Sequence, residues 1–110
     1  MSYKSTRAKR RLLNLTYRAL NAEYKERVSI KRDPLCRRYE VNRFCASVHH
    51  KTKTPTEIVR FLFKVLNKRY ADSELVKDTF GYTIDVNGLK YHMYISKNVQ
   101  GNEVVNVGIC

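Results

Sequence analysis

The stretch Tyr82–Ser96, YTIDVNGLKYHMYIS, changes the period of the chain from 3.6 to 2. Asn-Gly between two alternating runs is the strongest short-range hairpin signal, because a type I′ turn needs positive φ at both central residues. With the turn at Asn87–Gly88, Val86 faces Leu89, Ile84 faces Tyr91 and Tyr82 faces Met93 on one side of the ribbon. The other side pairs Asp85 with Lys90 and Thr83 with His92, and Tyr94 and Ser96 continue it. Downstream, EVVNVGIC supplies a third strand with Val105, Val107 and Ile109 turned inward. A three-stranded antiparallel meander is the expected end of the chain.

Working back from the hairpin, DSELVKD (72–78) reads as a short helical turn closed by Gly81. Before it, TPTEIVRFLFKVLNKRY (54–70) carries the plainest helix signal. Thr54 and Glu57 have capping-box spacing, Pro55 suits the first helical position, and Glu57, Arg60, Lys64 and Asn67 form a narrow polar stripe. In RDPLCRRYEVNRFCASVHHK (32–51), Asp33-Pro34 is a plausible helix start and Val41, Phe44, Cys45 and Val48 keep helical spacing. Its β-branched residues leave a strand over 38–46 as the alternative. The expectation is α+β: about three N-terminal helices packed on the C-terminal three-stranded meander, in one domain spanning residues 1–110.

The first segment, YKSTRAKRRLLNLTYRALNAEYKERV (3–28), carries eight lysines and arginines yet is sorted by helical angle. Arg7, Arg11, Asn14, Arg18, Asn21 and Lys25 fall on one line. Leu13, Tyr17, Leu20 and Tyr24 follow one flank; Ala8, Leu12, Leu15, Ala19 and Ala22 follow the other. A disordered basic tail would show no such order. An amphipathic helix over Ser5–Val28 is expected, with a basic and amide stripe facing out.

Charge sets the expected partner. The chain holds 22 basic and 10 acidic residues, a net +12, and residues 1–43 contribute most of the surplus. Polyanions are the natural ligands of such a chain: nucleic acid, an anionic membrane surface or an acidic protein. Nucleic acid is the expected partner, with an acidic or nucleic-acid-binding protein as the alternative. No run approaches the roughly 20 apolar residues of a membrane span, and three cysteines without a secretory signal point to reduced thiols. Cytoplasmic placement, without membrane association, is the corresponding expectation.

Phosphate contacts are assigned to Arg7, Arg10, Arg11, Arg18 and Lys25, with Asn14 adding hydrogen bonds to sugar or base edges. Arg37 and Arg38, with Lys31, Arg32 and Arg43, form a second cluster that the HHKTK run (49–53) could extend. Residue types for acid–base chemistry gather only on the polar hairpin face, where His92, Tyr94 and Lys90 could activate an RNA 2′-hydroxyl. The plainer reading there is a polar sheet face with an Asp85–Lys90 pair. Cys45 and His49, one turn apart on a helix, with Cys36 and His50, are too few and too irregular for a zinc motif. No P-loop, dinucleotide fingerprint or nucleophile elbow occurs, so no metal or cofactor is assigned.

Basic helices followed by an antiparallel sheet resemble small RelE-like ribonucleases in organisation, without a shared motif. The leading expectation is a non-enzymatic nucleic-acid-binding protein of DNA or RNA, a regulatory or host-modifying factor of the kind common in phages and mobile elements. The alternatives are a small metal-independent endoribonuclease and an inhibitor that docks its basic face on a partner protein.

Overall fold

The computed structural model describes residues 3–24, 28–32, 45–71, 73–79 and 81–109; of residues 3–6, 29, 31 and 32 only the backbone is described. They form two helices, α1 (Tyr3–Tyr24) and α2 (Pro55–Arg69), and six strands. The strands are β1 (Val28–Arg32), β2 (Cys45–His50), β3 (Leu75–Asp78), β4 (Gly81–Val86), β5 (Leu89–Lys97) and β6 (Glu103–Ile109). They make one sheet in the order β1-β2-β6-β5-β4-β3, with every pairing antiparallel.

The α+β class stands, but three helices on a three-stranded meander is corrected, among the described residues, to two helices on six strands. Cys45–His50, read as the end of a helix, is β2, hydrogen-bonded to β1 on one side and β6 on the other. Its Ala46, Val48 and His50 alternate inward with period 2, which the helical spacing of Cys45 and Val48 had masked. Residues 33–44, the rest of that expected helix, lie outside the described residues. DSELVKD is not a helical turn, since Leu75–Asp78 is edge strand β3. α1 stops at Tyr24, four residues before the expected end, because Val28 already begins β1. Strands therefore precede α2, and the helices-then-sheet organisation of the ribonuclease resemblance does not hold.

The meander itself has the expected register. Val86 pairs with Leu89, Ile84 with Tyr91, Tyr82 with Met93 and Thr83 with His92, and β6 runs back beside β5 with Tyr91 opposite Ile109. Asn87 (φ 50°) and Gly88 (φ 86°) supply the positive φ of the I′ turn. The Asp85 carboxylate accepts a hydrogen bond from the Gly88 amide at 3.0 Å, tying it to the turn.

α2 explains the strand order. It starts at Thr54, whose hydroxyl accepts the Glu57 N–H at 3.3 Å, with Pro55 at the first position. At 15 residues it is about 22 Å long. That is enough to carry the chain over the roughly 19 Å, four strand spacings, separating β2 from β3. The meander then returns strand by strand until β6 fills the place beside β2.

Both helices cover the face bearing Ala46, Val48, Ile84, Val86, Tyr91, Met93, Val105, Val107 and Ile109. α2 contributes Ile58, Val59, Leu62 and Leu66 to that core; Phe61 and Phe63 pack at its margin rather than at its centre. α1 contributes Leu12, Leu13 and Leu20. Its buried line passes between the two flanks expected from the sequence, so it also takes in Thr16 and Lys9, whereas Ala22 is exposed. Thr16 Oγ1 donates to the Leu12 carbonyl at 3.0 Å and lies 2.6 Å from the Tyr91 hydroxyl at the base of the core. With the threonine proton directed at Leu12, the phenol is the donor in the second bond. No helix among the described residues is long and apolar enough to cross a membrane.

Candidate nucleic-acid interface

Burying Leu12, Leu13, Thr16 and Leu20 turns the opposite side of α1 outward. Arg7, Arg10, Arg11, Asn14, Arg18 and Asn21 are all exposed there, as the helical spacing predicts. Lys9 is the exception among the basic residues of this segment whose side chains are described: it is 4% exposed and belongs to the core side. Lys25, Arg37, Arg38 and Arg43 lie outside the described residues, and Lys31 and Arg32 fall on β1.

The charge order along α1 runs against its own dipole. A helix is stabilised by acids in its first turn and bases in its last, each contributing about 0.3–1 kcal/mol. α1 has neither: Lys4 stands in the first turn, three of its four arginines fall in the first half, and its one acid, Glu23, stands in the last turn. α2 follows the usual order, with Glu57 first and Lys68 and Arg69 last. The cations of α1 are therefore not placed for the stability of that helix.

Packing of the two helices brings part of the stripe into a concave site. Arg11, Asn14, Leu15 and Arg18 of α1, with Arg69 and Tyr70 at the end of α2, line a groove of about 340 Å³. The described residues lining it include three arginines, an asparagine and a tyrosine, and no acid. Among the described residues, Arg11, Arg18 and Arg69 have no ion pair or hydrogen-bonded acceptor of their own. The planar guanidinium fork matches a phosphate bidentately, so three around one groove suit a phosphodiester better than a lone carboxylate. Arg69 and Tyr70 were absent from the sequence-based site. Their basic–aromatic adjacency was visible, but only the crossing of α2 over the sheet places them beside Arg11 and Arg18.

The second candidate group lies on the opposite face of the sheet. His92 Nδ1 is 2.8 Å from Thr83 Oγ1, which reaches Asp78 Oδ2 at 3.4 Å, and the His92 and Tyr94 rings are 6.2 Å apart. β3, unrecognised in the sequence, brings Asp78 to this chain of contacts. Lys90 is exposed at the turn end of β5, facing Asp85 in register. The structure thus gathers the expected residues, yet His92 is only 8% exposed. A bond from Thr83 to a ring packed into the sheet fixes the orientation of the imidazole. It does not offer that ring to a bulky substrate.

The cysteine–histidine pairing is also corrected. On a strand, Cys45 and His49 are separated by about 13 Å rather than one helical turn. His50 is buried; its Nδ1 accepts the Thr52 and Lys53 amides at 3.0 and 2.8 Å, and its ring meets Tyr24 edge-on at 4.6 Å. Cys36 lies outside the described residues. No protein-family model matches this chain, no curated protein matches it in sequence, and no solved structure matches it in fold.

Proposed function

We propose that the protein is a non-enzymatic nucleic-acid-binding protein, DNA or RNA, that contacts phosphates through the outer face of α1 and the end of α2. The observation that carries this reading is the convergence of Arg11, Arg18 and Arg69 on one groove with no acid among the described residues that line it. Arg7 and Arg10, exposed on the same helix, extend the cationic track toward its N-terminus. The reversed charge order of α1 adds support, since a helix keeping cations at its positive end makes sense when a polyanion lies against it.

The test is the triple variant Arg11→Gln/Arg18→Gln/Arg69→Gln. All three side chains are exposed, so folding should be retained. Binding of labelled oligonucleotides should weaken, and the slope of log K against log[salt] should flatten by about 0.7–0.9 for each phosphate that is no longer neutralised. An unchanged slope would remove the groove from the interface. Salt-sensitive binding to an acidic protein, with no oligonucleotide bound at low salt, would assign the same cations to a protein partner instead.

A further inference from the structure

Tyr70 stands where two grooves meet. One is the arginine groove; the other, of about 260 Å³, is lined by Ala71, Ser73, Asp85 and Asn87, and Tyr70 is common to both. Among the described residues their chemistry differs: three arginines and no acid line the first, one carboxylate and no cation the second. A nucleotide is polarised in the same sense, with an anionic phosphate at one end and a neutral, hydrogen-bonding base edge at the other.

We infer that the paired grooves are a track for single-stranded nucleic acid, in which phosphate lies among Arg11, Arg18 and Arg69, a base stacks on Tyr70, and its edge points toward Asp85 and Asn87. The inference rests on the nucleic-acid reading above and narrows it. Concavity is the first reason. A helix that reads duplex DNA must protrude into a major groove about 12 Å wide, whereas Arg11, Asn14 and Arg18 form a wall of a recess. Recesses of about 300 Å³ are the size that takes a small ligand, such as one unstacked nucleotide. The second reason is Tyr70, common to both grooves, since single-strand binders combine a cationic track with aromatic stacking platforms.

Base preference follows from Asp85. One carboxylate oxygen accepts the Gly88 amide at 3.0 Å. The other can accept from an exocyclic amino group, which cytosine carries and thymine and uracil lack. Oligocytidine should therefore bind more tightly than oligothymidine.

The test uses the full chain and fluorescence anisotropy with twelve-nucleotide probes: oligodeoxycytidine, oligodeoxythymidine, their ribose counterparts and a mixed-sequence duplex. Oligodeoxycytidine should bind at least tenfold more tightly than the duplex, and the ribose probes show whether the track also takes RNA. Tyr70→Leu, which keeps an apolar side chain against the core, should weaken single-strand binding about tenfold, in line with the loss of one stacked base. It should leave duplex binding unchanged, and Tyr70→Phe should bind as wild type. Asp85→Asn, which retains an acceptor for Gly88, should abolish the preference for cytidine over thymidine. Duplex binding as tight as single-strand binding, or an unaltered affinity in Tyr70→Leu with its melting curve confirming the fold, overturns the track while leaving the nucleic-acid reading intact. No binding to any probe at low salt ends both.

Discussion

Thr16 and Tyr91 carry the least symmetrical bond in the core. The phenol is fully buried and donates to Thr16 Oγ1 at 2.6 Å, while the threonine also has Leu12 O. Removing the acceptor strands a buried O–H; removing the donor strands nothing. Thr16→Val should therefore cost about 1–3 kcal/mol, more than Tyr91→Phe, and adding Tyr91→Phe to Thr16→Val should recover part of the loss. Burial holds the Tyr91 pKa well above the ordinary phenol value, with the Thr16 hydroxyl partly opposing that rise. Only the unfolded chain then ionises near pH 10, so the native-state advantage is complete below that pH and is lost as pH rises. The stability margin of wild type over Tyr91→Phe should shrink by about 1.4 kcal/mol between pH 9 and 11. Urea denaturation of both proteins at the two pH values measures it. A constant margin would mean that the phenol titrates normally and is not sealed in the core.

Elements differ in how much of themselves they write into the sequence. The β4–β5 hairpin was legible to the residue, because Asn87–Gly88 admits few other conformations and alternating Ile84, Val86, Tyr91 and Met93 fix the face. α2 was equally legible from its cap and apolar stripe. The outer strands were not. β3 is an edge strand of mostly exposed residues, and the charges that protect such an edge from pairing with other chains, here Lys77 and Asp78, also make it look like a turn. β1 offers just Val28 and Ile30 as an alternating signal, after a helix whose basic composition continues into it. The arginine stripe was legible because it lies on one helix; the groove was not, since it depends on where another helix ends. Two glycines give a test at this scale. Gly88 has open space around its Cα, so Gly88→Ala meets only the cost of a positive φ, about 1–2 kcal/mol. A Cβ on Gly81, at φ +142°, would run into the Met93 carbonyl inside the sheet. Gly81→Ala should accordingly be the more damaging of the two in chemical denaturation. The reverse order would place strain in the turn and leave β4 free to shift.

At the scale of the molecule, charge is the largest unbalanced quantity. α1 and α2 together hold ten basic residues and two acids, and Arg7, Arg10, Arg11, Arg18, Arg60, Lys64, Lys68 and Arg69 are all exposed. The longest dimension is 37 Å. Screening length falls from about 30 Å at 0.01 M salt to about 8 Å at 0.15 M. In dilute buffer nearly every cation feels every other, whereas at physiological salt only neighbours interact. Salt should thus act with opposite signs on the two equilibria of this protein. It should raise the melting temperature of the free chain by relieving self-repulsion, and it should lower affinity for a polyanion by competing for the same cations. The Arg11→Gln/Arg18→Gln/Arg69→Gln variant separates the contributions. Lacking three mutually repelling charges, it should melt at or above the wild-type temperature in 0.01 M salt, and its melting temperature should rise less on going to 0.15 M. Calorimetry at the two salt concentrations reads this directly. Were the variant instead less stable in dilute buffer, its arginines would be holding the fold together through ion pairs, and a cluster kept for stability would no longer argue for a polyanionic ligand.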